Sequence, residues 1–265
     1  MFQYAAARAL SLRLGVDLRI DLRFYTGSRD QSRSHWITQF PIVATSKSYE
    51  NPAQAHGPRA RLFNFARERH KTFRSNWGYD PRFENLRDGA VLNGLFQSPR
   101  FFCNHKMEIS AELNLLKSSN LVDTAVMDRF GVRNLFGVHV RRGDYLTHQS
   151  FAMINPEIYY TKVMSEITAA GEKALIFSDD IEWCREQSYF SDAEFFPYRP
   201  DLPPFVDMFT MSECKGLYIA NSTYSWWAGW FAHQRGVSVA APTNWILGKR
   251  AQDIDLYPDE WRVLD

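Results

Sequence analysis

The spacing of apolar residues changes character along this chain. Met1 to Leu14 is rich in Ala, Leu and Arg at helical spacing, and Gly15 stands where a helix-ending glycine belongs. Val16, Leu18, Ile20 and Leu22 then alternate with Asp17, Arg19, Asp21 and Arg23, the period of a strand. Tyr25 to Asn51 is polar and turn-rich and predicts irregular structure or a lid. Pro58 to Arg74 predicts a helix whose many basic residues form a solvated face. Ala90 to Phe96 reads as a short strand. Helical segments around Asn104 to Leu116 and Asn120 to Phe130 follow, the second closed by Gly131.

From about Arg133 strand, turn and helix repeat regularly. Leu135 to Val140 is an apolar run that stops on Arg141, Arg142, Gly143 and Asp144. Asn155-Pro156 opens a helix, asparagine as cap and proline in the first turn, with Tyr159, Val163 and Ile167 as its apolar stripe and Gly171 at its end. Lys173 to Phe177 is the next buried strand and runs into Ser178-Asp179-Asp180 and a helix beginning at Ile181. Phe195-Phe196 predicts a short third strand and Phe205 to Cys214 a helix. Leu217 to Ala220 is a strand opened by Gly216 and ending in Asn221-Ser222-Thr223-Tyr224-Ser225. Trp226 to His233 reads as a helix, and Ser238 to Ala241 as the last strand. Strands alternating with helices imply parallel pairing through right-handed crossovers, hence an α/β fold.

The bulk numbers narrow the function. With 31 basic and 30 acidic residues among 265, the net charge of +1 offers no global basic field for a nucleic acid. No apolar run is long enough to span a membrane and no signal peptide is recognisable, so a cytoplasmic location is expected; peripheral association with a membrane is compatible with this. Cys103, Cys184 and Cys214 are sparse and widely spaced, as suits reduced thiols rather than a disulfide framework.

Chemistry concentrates at three strand ends. Side chains alternate across a strand, so His139 and Arg141 leave one face while Val138 and Val140 leave the other. Adjacent Arg141 and Arg142 suit phosphate, because each guanidinium engages two oxygens and stays charged; an ordinary surface pair partnered by Asp144 is the alternative. The second strand end carries Asp179 and Asp180, and the third carries Ser222, Thr223 and Ser225 at a helix start, a natural anion site. An aspartate can accept both the N1–H and the exocyclic amine of guanine, which adenine does not offer. The constellation therefore reads as a nucleoside diphosphate site with guanine the more natural base, although Asp179, Asp180, Ser222 and Thr223 also fit as helix caps. No P-loop is present. Asp253-Ile254-Asp255 matches the Asp-x-Asp of metal-dependent sugar transferases, yet it lies near the polar carboxyl terminus and reads as solvated surface. The seven histidines show no metal spacing.

Gly137-Val-His-Val-Arg-Arg-Gly-Asp-Tyr145, Phe177-Ser-Asp-Asp180 with Trp183-Cys184, and Asp207 through Asn221-Ser-Thr-Tyr-Ser-Trp-Trp227 resemble the three motifs of galactoside α-1,2-fucosyltransferases, glycosyltransferase family 11, in their bacterial form. Met1-Phe-Gln-Tyr-Ala5 and Arg8-Ala-Leu-Ser-Leu12 resemble the family's first helix. The resemblance implies a GT-B-like pair of Rossmann-type parallel-sheet domains, 1–133 on the acceptor side and 134–265 binding GDP-fucose. It implies inverting transfer to the 2-hydroxyl of a galactose-containing glycan, with no metal or other cofactor. By the same resemblance Arg141 binds the diphosphate and stabilises departing GDP, and Arg142 beside it counts among the donor-binding residues. His139 and one of Asp179 and Asp180 hold the guanosine, and Ser222, Thr223 and Ser225 hold phosphates. Asp144 is placed either as the base that takes the acceptor proton or as a salt-bridge partner of the arginines. Family members begin with a strand and a Gly-Leu-Gly-Asn-Gln-like loop before Met-Phe-Gln-Tyr, so the first domain is expected to lack its opening strand, with activity in doubt. Two rivals stand beside this reading: a fucosyltransferase of another linkage, such as α-1,6, and a non-catalytic sugar-binding protein stacking sugars on Trp226, Trp227 and Trp230.

Overall fold

A computed structural model of the chain describes residues 1–21, 36–47, 72–114, 124–146, 154–197, 199, 201–246 and 248–265. It divides into two compact units, Met1–Asn114 with Ile254–Leu256, and Leu115–Asp253 with Tyr257–Asp265. The change of rhythm near residue 133 therefore falls inside the second unit. The reason is packing: Met127 and Val132 are buried, the Phe130 ring lies 5.4 Å from that of Phe196, and Arg133 pairs with Glu213 at 3.4 Å.

In the first unit, helix α1 (Phe2–Leu14) buries Phe2, Tyr4, Ala5, Ala6, Ala9 and Leu10 and ends at Gly15 in the left-handed conformation. Strand β1 (Arg19–Asp21) pairs in parallel with β2 (Thr45–Lys47), and β3 (Thr72–Trp77) with β4 (Val91–Gln97). Helix α2 (Lys106–Glu112) follows. Two expectations are corrected here. Thr45–Lys47, inside the stretch read as irregular, forms a strand because it finds the edge of β1; residues 22–35 and 48–51 lie outside the described ones. Thr72 to Arg74, read as the end of a helix, opens β3 instead, where buried Phe73 and Ser75 alternate with exposed Arg74 and Asn76. The rest of that expected helix, 58–71, lies outside the described residues. Gly94 is required at the β3–β4 contact, since a Cβ there would overlap the carbonyl of Ser75.

The second unit opens with α3 (Thr124–Arg129), then β5 (Phe136–Val140), α4 (Pro156–Ala169), β6 (Ala174–Ser178), α5 (Ile181–Arg185) and β7 (Glu194–Phe195). Helix α6 (Pro204–Ser212), β8 (Gly216–Tyr218), α7 (Thr223–Gln234) and β9 (Val239–Pro242) complete the repeat. A small hairpin, β10 (Asn244–Ile246) and β11 (Lys249–Arg250), precedes β12 (Arg262–Leu264). Six strands form one parallel sheet in the order β12-β9-β8-β5-β6-β7. From β5 the chain adds β6 and β7 on one side, then returns to add β8, β9 and β12 on the other. That order is the doubly wound Rossmann arrangement, with its topological switch between β5 and β8. Ser238 to Ala241 is thus not the last strand. β12 pairs with β9 but is three residues long, too short to show a period of its own.

Both faces of the sheet are covered. Val138, Val140, Ile176 and Ala240 pack with Tyr159, Tyr160, Val163 and Ile167 of α4. On α7, Trp226, Trp227 and Trp230 are 0, 2 and 3% exposed, and the Trp226 and Trp230 rings stack at 5.5 Å. Phe209 of α6 meets Phe231 of α7 at 5.0 Å. These tryptophans are core, which removes the surface that a stacking sugar-binding protein would use.

Candidate active site

The parallel register brings the carboxyl ends of β6, β5 and β8 side by side: Val140 lies opposite Ser178, and Val138 opposite Tyr218. The three polar sets singled out in the sequence are therefore neighbours. They flank the switch point, where an open α/β sheet has its natural crevice.

The arginines and aspartates interlock. Arg141 Nη1 lies 2.7 Å from Asp179 Oδ2, and the backbone N–H of Arg142 donates to Asp179 Oδ1 at 3.0 Å. Asp179 thus ties the side chain of one arginine and the main chain of the next to the end of β6. Gly143 is part of the fit, because a Cβ there would overlap Asp179 Oδ2. Asp180 Oδ2 accepts from Arg142 Nε at 3.1 Å while Oδ1 caps α5 through the N–H of Trp183 at 3.3 Å. The Arg142 guanidinium lies over the Trp183 ring at 3.7 Å, a contact worth about 1 kcal/mol. Asp144 falls in the 3-10 turn Gly143–Leu146; its side chain lies outside the described residues.

His139 is 4% exposed, and its Nδ1 has no hydrogen-bond partner. Burial, reinforced by the Arg141 charge, pushes its pKa down to about 3, so the ring is neutral. Its face packs against Tyr224 at 5.5 Å between centroids. At the third strand end Ser222 caps α7, its Oγ accepting the N–H of Tyr224 at 3.3 Å. Ser225 is fully buried and its hydroxyl donates to the carbonyls of Ala220 and Ser222, both at 3.3 Å. Thr223 is exposed in the first turn. Of the three residues, only Thr223 is exposed.

The family model of glycosyl transferase family 11 matches residues 89–265, more than half of the chain and the whole of this crevice. The chain belongs to glycosyl transferase family 11. It is a glycosyltransferase, and its relatives agree. An O-antigen biosynthesis glycosyltransferase of Escherichia coli is 28% identical over 98% of this chain and 95% of its own length. An alpha-1,2-colitosyltransferase of the same species is 27% identical over 98% and 93%. A human galactoside alpha-(1,2)-fucosyltransferase is 26% identical over 57% of this chain and 45% of its own length.

Several groups of the family 11 enzyme around the crevice were not singled out in the sequence. Asp207, named only as the start of a motif, is half-buried on α6, and Arg199 engages its Oδ1 through Nε and Nη2. Burial raises its pKa, with Arg199 opposing. Charges from Asp207, Arg141 and Arg199 all act on Tyr224, which places these side chains around one spot beside His139. Tyr145 donates to the carbonyl of Asn221 at 2.8 Å, and Asn221 Nδ2 to that of Trp245 at 3.1 Å. A small cleft opens beside Arg141, walled by Arg142, Tyr145, Tyr160, Trp183 and Asn221. Neighbouring aromatic rings and a proline rim were the only signal for it.

Asp253 and Asp255 each pair with an arginine, Arg250 at 3.4 Å and Arg100 at 3.1 Å, as solvated surface charges do. Among the described residues no group of three His, Cys, Asp or Glu side chains is arranged to hold a metal ion. No helix among them is long and apolar enough to cross a membrane.

Proposed function

We propose that this glycosyltransferase moves fucose from GDP-fucose to the 2-hydroxyl of a galactoside, with inversion and without a metal ion, in glycan or polysaccharide synthesis. The observation that carries the donor reading is the crevice between β5 and β8. It combines a guanidinium held in place, a capped helix start and a buried, unpartnered His139 nitrogen in one spot. A helix amino terminus and an arginine are the two groups that hold a diphosphate best. Of the carboxylates, Asp179 and Asp180 are occupied by the arginines, whereas Arg199 uses one oxygen of Asp207. We therefore assign the guanine edge to Asp207 with His139 Nδ1, and give Asp179 and Asp180 the task of orienting Arg141 and Arg142. Thr223 at the start of α7 meets the phosphates, with Ser222 and Ser225 shaping the turn.

In this reading the acceptor hydroxyl attacks the anomeric carbon in line while GDP leaves from the opposite face. Negative charge grows on the β-phosphate, and Arg141 is already aligned to meet it. A donor that is preorganised stabilises the transition state without reorganising. The 2-linkage is favoured because both a colitosyl and a fucosyl relative carry it in their names. The colitosyl relative aligns over 98% of the chain, so a GDP-colitose donor is the second reading. Assay of the purified enzyme with each GDP-sugar, a galactoside acceptor and a chelator tests both, with linkage analysis of the product. A 2-linked fucosyl product formed in chelator supports the proposal. Transfer of colitose alone, or a product of another linkage, overturns it.

A further inference from the structure

The ladder between β5 and β8 ends at Val138 and Tyr218, whereas β5 continues beside β6 to Val140. Past that point each of the two strands is left with a main-chain carbonyl that no sheet ladder uses. Ile219 donates its N–H to the carbonyl of Ala240 in β9 at 2.9 Å, so its own carbonyl faces β9 as well, where the next ladder position is Pro242, which has no N–H to offer. Two consecutive residues of one helix complete both strand ends. Tyr159 donates its hydroxyl to the Ile219 carbonyl at 2.8 Å, and Tyr160 to the His139 carbonyl at 3.1 Å. Both tyrosines are buried, 4 and 3% exposed, and their rings meet edge to face at 5.2 Å.

We propose that Tyr159 and Tyr160 are positioning residues that set the separation of the two halves of the donor crevice. The geometry is a wedge. One half of the crevice, His139 and Arg141, continues from the carbonyl that Tyr160 holds. The other half, Asn221 and the start of α7, lies two residues beyond the carbonyl that Tyr159 holds. The two tyrosines sit side by side on α4, a rigid helix, so the distance between the strand ends is carried by helix geometry rather than by a sheet ladder. Tyr145 spans the same gap from above through the carbonyl of Asn221. A ligand that bridges Arg141 and the α7 start depends on that spacing, since contacts at both ends form together only when the gap matches its length. The inference rests on the crevice being the donor site.

Tyr257 supplies a comparison, because its hydroxyl donates to another strand-end carbonyl, Pro242 at 3.0 Å, on β9, a strand that does not neighbour β5. The experiment compares Tyr159→Phe, Tyr160→Phe and Tyr257→Phe by calorimetric titration with GDP. It adds amide hydrogen exchange of Val140–Gly143 and Asn221–Tyr224 on each unliganded protein. Each loses one hydroxyl hydrogen bond to a strand-end carbonyl, so the losses of melting temperature are of the same order. GDP affinity falls about tenfold in Tyr159→Phe and Tyr160→Phe, as loss of one crevice alignment predicts, and stays at wild type in Tyr257→Phe. Tyr160→Phe has no further effect on an Arg141→Lys background, because it acts through that half of the site. Exchange at the two strand ends accelerates in the first two variants only. Equal affinity losses in all three, or wild-type affinity and exchange in Tyr160→Phe, overturn the proposal. If the wild-type chain itself binds no GDP, the donor reading falls; the wedge then stands or falls on exchange alone.

Discussion

Arg141 and Asp179 meet at 2.7 Å across two adjacent strand ends, and the same carboxylate reaches the backbone of Arg142. The residue just past β6 thereby aims the arginine just past β5. Removing Arg141 tests its role in the reaction directly. Arg141→Ala is expected to lower kcat about a hundredfold, the usual cost of one preorganised donor at a developing charge, with Arg141→Lys retaining part of it. Steady-state kinetics with GDP-fucose checks this, and turnover near wild type in Arg141→Ala would exclude the assignment.

Gly143 lies outside any expected ligand contact, yet it has no room for a side chain. A Cβ there pushes against Asp179 Oδ2 and displaces the carboxylate from Arg141. Gly143→Ala is expected to weaken GDP binding about tenfold or more, the scale of one charge-assisted hydrogen bond. Calorimetric titration reads it, and circular dichroism shows whether the fold is kept.

His139 makes stability depend on acid. Its pKa is about 3 in the folded protein, against about 6.5 in the unfolded chain. The folded state is therefore favoured fully above pH 6.5 and loses ground as pH falls from there towards 3, because only the unfolded chain takes up the proton. The slope from this one group approaches about 1.4 kcal/mol per pH unit. Urea denaturation at pH 7 and pH 5 measures it. His139→Gln should flatten that part of the profile, and an unchanged slope would show that the imidazole is not buried neutral.

Asp180 has two tasks that substitution can separate. Asp180→Ala removes both the α5 cap and the Arg142 contact and should cost about 1 kcal/mol, mostly through the cap. Asp180→Asn keeps the cap and loses only an ion pair that is 36% exposed on the aspartate side, worth a few tenths of a kcal/mol. Equal losses in the two variants, by chemical denaturation, would mean that the ion pair dominates.

Trp226 decides between core and binding surface. It is fully buried between Trp227, Trp230 and Trp261. Trp226→Ala is expected to cost about 3–5 kcal/mol, seen as a lower urea midpoint. A sugar platform would lose oligosaccharide binding at unchanged stability.

Much of this protein is written locally. The helix from Pro156 begins where Asn155 can cap it, with Asn155 Oδ1 accepting from Ile158 at 3.2 Å. The runs at 136–140 and 174–178 are continuous and, apart from His139 and Ser178, apolar because both faces of the sheet are covered. Those signals, with the polar residues that follow each run, were enough to assemble an α/β domain and to bring His139, Arg141, Asp179 and Ser222 to one edge. Pattern alone could not show which partner each polar group takes. Asp179 and Asp180 look alike in sequence, and only the packed strand ends set one on Arg141 and the other at a helix cap. Asp207 sits in an apolar helix and becomes conspicuous only beside Arg199 and Tyr224. Tyr159 reads as one more apolar position of α4, while its hydroxyl reaches residue 219, a contact across 60 positions that no local window contains. β12 exists because β9 offers it an edge. Periodicity and capping are properties of neighbouring residues, so the sequence determined the helices and central strands of the second unit and the polar residues that follow those strands. Strand order, ion-pair partners and the width of the crevice arise from residues far apart in the chain, and only the tertiary structure decided those.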